Sequence, residues 1–157
     1  MTRLALAPLA LLVAACALRP TTAPPPALEG CRPAPRIVIA AIGADQPATS
    51  ELAISALADA LAAAGLTVLA PGRPAPPSHR GEAVEWAFSG AVERRSSDQA
   101  LVNLELYSLR DSRTIWAIAD ARADQPADDF RSSLLRNLDA AVMIFGRDVL
   151  GCELEPQ

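Results

Sequence analysis

The sequence has few of the side chains on which catalytic and metal sites depend. Its one histidine, His79, lies in a proline-rich stretch, which does not indicate a nucleophile activated by a histidine base. The three cysteines are far apart, and no glycine-rich phosphate-binding motif occurs. We therefore expect no catalytic residues, no metal site and no cofactor, and interpret the chain as a protein that is not an enzyme.

The sequence also lacks lysine. All 14 of its basic residues are arginine. The net charge is -4 and no long basic run occurs, which argues against nucleic acid as a partner. Aromatic residues make up only 4% of the 157 residues, whereas 51% are apolar and many of these are alanine. This composition predicts one modest domain with a core of small side chains.

The N-terminal apolar run covers residues 4–13, about half of the roughly 20 residues that a membrane-spanning helix needs. It follows Arg3, which is typical of an export signal. Residues 13–16 read Val-Ala-Ala-Cys, which resembles the lipobox of bacterial lipoproteins. The resemblance implies a signal peptide at 1–15 and a lipidated Cys16. The alternative is an ordinary signal peptide with an incidental cysteine.

The residue after the lipobox bears on localisation. Ala17 stands where an aspartate would favour retention in the inner membrane. We therefore expect the protein on the periplasmic face of the outer membrane, held there by acyl chains on Cys16.

Residues 16–35 are rich in proline, which disfavours helices and central strands and predicts an extended tether. The tether leads into a single domain at 36–157, with Cys31 and Cys152 near its two ends. In an oxidising compartment, the pair left after lipidation favours a disulfide. Two free thiols or an intermolecular bond are the alternatives.

The first part of the domain reads as strand, helix and strand. The β-branched run 36–42 is typical of a strand buried on both faces. A helix follows, with Thr49 or Ser50 as its cap and Gly65 as its stop, and 66–69 form a short strand. The loop at 71–82 is either a functional segment or a passive connection.

Three antiparallel strands are predicted within residues 83–122, because apolar and polar residues alternate there with a period of two. An apolar stripe at helical spacing then predicts a long last helix, through Phe130, Leu134, Leu138, Ala141, Phe145 and Val149. Together these elements predict an α/β (α+β) fold. It consists of one mixed sheet, formed by a β-α-β unit and a three-stranded meander, with its helices packed on one face.

This order of elements resembles the amino-terminal domain of the Tol protein TolB and its lipoprotein relatives. Those relatives are the curli-assembly, flagellar-operon and penicillin-binding-protein activator lipoproteins. The resemblance rests on a strand that contains Gly90, a strand that ends near the turn at Asp111, and the pair Ile115-Trp116. It implies no catalytic residue, because these relatives act by binding other proteins.

We therefore expect an anchored, non-catalytic module that docks on an envelope machine. Its partners would be the membrane, through the lipid on Cys16, and an envelope protein; no oligomeric state is indicated. Exposed charge at the two hairpin tips makes four arginines the candidates for partner contacts: Arg94, Arg95, Arg110 and Arg113. The alternative function is an auxiliary lipoprotein of an ABC-type lipid or lipopolysaccharide transport system.

Overall fold

The computed structural model describes residues 31–32, 34–71 and 84–154. The predicted signal peptide, Cys16, His79 and nearly all of the loop at 71–82 lie outside the described residues. Most of the predicted tether lies outside them too.

Five strands form one mixed sheet in the order β2-β1-β3-β4-β5. Strand β1 pairs in parallel with β2 and β3, and the meander β3-β4-β5 is antiparallel. The elements along the chain are β1 (Arg36–Ala44), α1 (Pro47–Ala63), β2 (Val68–Leu69), β3 (Val84–Arg94), β4 (Ala100–Ser108), β5 (Arg113–Ala121) and α2 (Phe130–Phe145). A single π-helical turn, Gly146–Leu150, extends α2. The predicted fold class is confirmed.

Both helices pack on one face of the sheet and bury its apolar positions. Phe88 of β3 and Leu104 of β4 lie in the same core as Leu57 of α1 and Leu138 of α2. The predicted stripe of α2 is confirmed from Phe130 to Phe145, where each of its members is buried. Its last member, Val149, is half-buried in the π-helical turn.

The prediction that β1 is buried on both faces is wrong. Ile37, Ile39 and Ile42 are at most 2% exposed, but Ala40 and Ala41 are exposed to solvent. The register with β3 shifts between Ile39 and Ala41, so the apolar side chains on both sides of this irregularity reach the helix face. The strand is continuously apolar without being covered on both sides.

The predicted cap of α1 is also wrong, although the predicted stop is confirmed. The N-cap is Gln46, whose side chain makes no capping hydrogen bond, and Thr49 and Ser50 lie inside the helix. The Ser50 hydroxyl instead donates to the carbonyl of Ile42 in β1. Gly65 follows the last turn with φ 80°, a left-handed conformation that glycine adopts without strain.

Close approach between β3 and β4 requires Gly90. A β-carbon at this position would overlap the backbone carbonyl of Asn103 and lie 2.8 Å from the side chain of Leu104. Leu104, which is directly opposite in the register, is 1% exposed. The side chain of Leu104 therefore occupies the space that a side chain at position 90 would need, and only glycine fits there.

Candidate functional site

The four arginines predicted to contact a partner lie at opposite ends of the sheet. Arg94 and Arg95 stand where β3 turns into β4, whereas Arg110 and Arg113 flank the turn between β4 and β5. The nine residues of β4 separate the two turns, a distance of about 27 Å at 3.4 Å per residue. All four side chains are exposed, but the structure brings them together only as two pairs.

Arg94 and Arg95 both have partners within the domain. The Arg94 guanidinium lies 3.9 Å from the centre of the Phe130 ring, a cation–π contact. Arg95 lies 4.0 Å from the carboxylate of Asp120, which also forms an ion pair with Arg122. The hydrogen bond from Arg122, followed by the positive charges of Arg122 and Arg95, lowers the pKa of the Asp120 carboxyl.

Asp120 takes this position because of an irregularity in β5. The pairing with β4 shifts between Val102 and Leu104, and Asp120 has φ 54°, which is unusual for a residue other than glycine. The side chain of Asn103 accepts a hydrogen bond from the Asp120 N–H at 2.9 Å. Sequence reasoning missed Asp120 and Arg122, because no local pattern marks a bulge that depends on the opposite strand.

Two buried polar side chains of α2 hold the end of the sheet where Arg94 and Arg95 lie. The Ser133 hydroxyl accepts from the Ala100 N–H at 3.0 Å. The Asn137 amide donates to the Ala100 carbonyl at 2.8 Å and accepts from the Ala123 N–H at 2.9 Å. The β3–β4 turn and the segment after β5 are therefore joined to the same helix.

The start of α2 is fixed at this same end. The Asp129 carboxylate accepts from the Ser132 N–H at 2.7 Å and caps the helix, as an acidic residue does at an N-terminus. That hydrogen bond lowers the pKa of Asp129. The Phe130 N–H donates to the carbonyl of Ser97, which adds a further link to the β3–β4 turn.

The sheet face opposite the helices is a second candidate surface. Its central positions carry the small side chains of Ser89 and Ala117, each of which is paired with the exposed Glu105 of β4. A shallow groove of about 640 Å³ runs over β3, β4 and β5 at this place, and Ala91 and Ala119 contribute to its walls. This open face presents short side chains and the carboxylate of Glu105 to solvent.

A third surface is the groove between the two helices, with a volume of about 410 Å³. Leu52 and Ala56 of α1 form one wall, while Leu135 and Met143 of α2 form the other. Met143 is 39% exposed. Asp139 lies in this mainly apolar groove, and partial burial raises the pKa of its carboxyl.

At the opposite end from Arg94, a disulfide joins Cys31 to Cys152, as the sequence predicted, with 5.0 Å between their Cα atoms. Four aromatic rings pack edge to face in the nearby core, where Phe145 contacts Trp86, Phe88 and Trp116. Edge-to-face packing of this kind adds stability beyond the burial of apolar area. Cys31 and Cys152 therefore lie beside a well-packed part of the core.

The described residues carry no arrangement that suggests metal chemistry or membrane crossing. Within residues 31–32, 34–71 and 84–154, no three His, Cys, Asp or Glu side chains converge where they could hold a metal ion. In the same part of the chain, no helix combines the length and the apolar character needed to cross a bilayer.

No protein-family model matches the chain. No curated protein matches it either. Solved structures do match: a single-substitution variant of PelC, crystallised as a dodecamer from Paraburkholderia phytofirmans, is 20% identical with a TM-score of 0.50, over 69% of this chain and 85% of that chain. A second PelC dodecamer from this organism is 21% identical with a TM-score of 0.48, over 69% and 84%.

TolB from Acinetobacter baumannii is 16% identical with a TM-score of 0.43, over 72% of this chain and 28% of that chain. The likeness to the PelC variant, with a TM-score of 0.50 at 20% identity, concerns the fold alone. The described domain has the fold of a PelC subunit.

Proposed function

We propose that the chain is a lipid-anchored protein-interaction module of the bacterial envelope, held on the periplasmic face of the outer membrane through Cys16. The export signal and lipobox-like tetrapeptide at 13–16 support the anchor. The domain binds other proteins and performs no reaction itself. The similarity to the fold of PelC, which was crystallised as a dodecamer, supports an assembly function for a domain of this shape.

The observation that carries this proposal is the open face of the sheet. One face is filled by α1 and α2, while the other presents small side chains around the groove over β3, β4 and β5. Short side chains on both sides of Glu105 let another backbone or helix approach this face closely. Ser89, Ala91 and Ala117 are among the residues that line this docking surface.

The alternative function, an auxiliary lipoprotein of lipid transport, calls for an enclosed apolar cavity that holds acyl chains. The grooves on the described domain are open to solvent along one side. We therefore assign the open face to a protein, which is either a second copy of this chain or another envelope component.

Site-specific photocrosslinking in cells tests this assignment. A benzophenone amino acid replaces Ala117 on the open face of the full chain, and a matched variant carries it at the exposed Ala62 on α1. We expect a discrete protein adduct from position 117 and none from position 62, and mass spectrometry of the adduct identifies a second copy or a different protein. The absence of an adduct at 117, or equal adducts at both positions, would contradict the proposal.

A further inference from the structure

The end of the domain at which the tether enters carries an exposed set of residues that the proposed protein contacts do not use. We call Arg32, Leu109, Arg110 and Arg113 the tether-end surface. Arg32 follows Cys31, and its N–H donates to the carbonyl of Leu150 at 2.9 Å. The Leu109 N–H donates to the carbonyl of Glu85 at the start of β3 at 2.8 Å.

The disulfide makes this end the closest part of the folded domain to the anchor. Cys31 is bonded to Cys152, so the point at which the chain leaves the domain is fixed and does not depend on the conformation of the tether. The fourteen residues 17–30 reach at most about 50 Å when fully extended. Attachment over so short a span gives the domain a high effective concentration at the membrane.

Leu109 is an exposed large apolar side chain on this surface, with 45% of its area accessible. The turn that carries it is held by the Ser108 hydroxyl, which donates to the Asp111 carboxylate at 3.0 Å and accepts from the Asp111 N–H at 3.1 Å. The leucine therefore projects from a fixed turn, with Arg110 and Arg113 beside it.

The arginines at the two ends of the sheet differ in their contacts. Arg94 stacks on Phe130 and Arg95 lies beside Asp120. Among the described residues, Arg110 and Arg113 form no ion pair, and the acid between them, Asp111, is bonded to the Ser108 hydroxyl. Within the part of the chain that the structure describes, the tether end thus presents two arginines without an ion-pair partner, together with the exposed apolar side chain of Leu109.

We propose that the tether-end surface docks on the phosphate headgroups of the membrane that holds Cys16. The guanidinium groups of Arg110 and Arg113 bind lipid phosphates, for which planar, multiply donating cations are suited, and Leu109 inserts among the headgroups. The inference rests on the proposed lipid anchor. It orients the domain, because the turn that carries Arg94 and Arg95 then points away from the membrane.

The test places a benzophenone amino acid at position 109 of the full chain, reconstituted in vesicles of phosphatidylglycerol and phosphatidylcholine. A matched variant carries it at Gln99, which is exposed in the turn at the other end. We expect lipid adducts from position 109 and few from position 99. Vesicles of phosphatidylcholine alone should give weaker labelling at 109, because they lack net negative charge.

Charge variants of the chain that carries the crosslinker at position 109 show which arginines bind the domain to the membrane. R110Q/R113Q should lower the lipid adduct at 109 by up to about 30-fold, which corresponds to two surface contacts of about 1 kcal/mol each. R94Q/R95Q makes the same change in charge at the other end and should leave the yield within twofold. Equal losses for both pairs, equal labelling at 109 and 99, or equal labelling in neutral vesicles would overturn the docking.

The intact mass of each sample separates this inference from the lipid anchor. Lipid adducts at 109 on a chain without acyl groups would support the docking surface and refute the anchor. An acylated chain without adducts at 109 would refute the docking surface and leave the anchor standing. A protein adduct from 109 in cells, in place of lipid, would also overturn the inference.

Discussion

Replacing Asn137 by alanine should destabilise the domain by about 1.5–5.5 kcal/mol. The side chain is 7% exposed and joins two backbone groups, the Ala100 carbonyl and the Ala123 N–H. Each of these two backbone groups costs about 1–3 kcal/mol when it loses its partner, and the better helix propensity of alanine offsets about 0.5 kcal/mol of the total. A loss of this size is a large part of the 5–15 kcal/mol typical of small domains.

Unfolding in guanidinium chloride measures this loss, and tryptophan fluorescence follows it because Trp86 and Trp116 lie in the aromatic cluster. The matched control is Arg131→Ala, an exposed position on the same helix, which should change stability by less than about 0.5 kcal/mol. Hydrogen exchange at the Ala123 amide should also become faster in the Asn137 variant. Equal stability of the two variants would refute the bridging function of Asn137.

Three further outcomes follow from the structure. Replacing Cys31 and Cys152 together by serine should cost up to about 4.9 kcal/mol, the loop-closure entropy for a separation of 121 residues, measured as a lower denaturation midpoint; an unchanged midpoint would contradict it. Asp139→Asn should raise the free energy of unfolding at pH 7. The pKa of Asp139 is raised in the folded state, so folding favours the protonated acid, and the ionised carboxylate destabilises the fold as pH rises. The same dependence of stability on pH in the variant and the wild type would contradict this prediction. Gly90→Ala should lower the free energy of unfolding by about 1–3 kcal/mol, because the new β-carbon would meet the backbone of β4. An unchanged melting temperature would show that β3 and β4 can shift to admit the β-carbon without a loss of stability.

Periodicity in the sequence was sufficient to predict the meander and α2. Val102, Leu104 and Leu106 alternate along β4 and are all buried, and the 3.6-residue stripe of α2 faces the same core. Each pattern arises because one face of the element is buried, so it can be recognised from the order of apolar and polar residues within that element alone. Gly65 is predictable for the same reason, because its positive φ ends a helix locally.

The errors in the prediction have a common cause in contacts between distant residues. Ser50 resembles a cap in sequence, but its hydroxyl bonds to Ile42 in the neighbouring strand. The β-branched character of β1 resembles a strand covered on two sides, but both helices lie on the same side. The bulge at Asp120 depends on pairing with Asn103 seventeen residues away.

The candidate site was predictable only in part. Exposed arginines at hairpin turns were expected, and all four are exposed. Their separation follows from the antiparallel topology, since successive turns of a meander lie at opposite ends of the sheet. The two pairs of arginines differ in the partners of their guanidinium groups. Arg94, for example, contacts Phe130, and this contact depends on where α2 begins.

The central claim is that a lipid on Cys16 holds this domain at the envelope, and the intact mass of the chain recovered from bacterial membranes tests it most directly. The account predicts a mature chain that begins at Cys16 and carries the added mass of acyl groups, with Cys16→Ala left unmodified. A chain that keeps Met1 and is recovered without acyl groups from the cytosol would contradict the account.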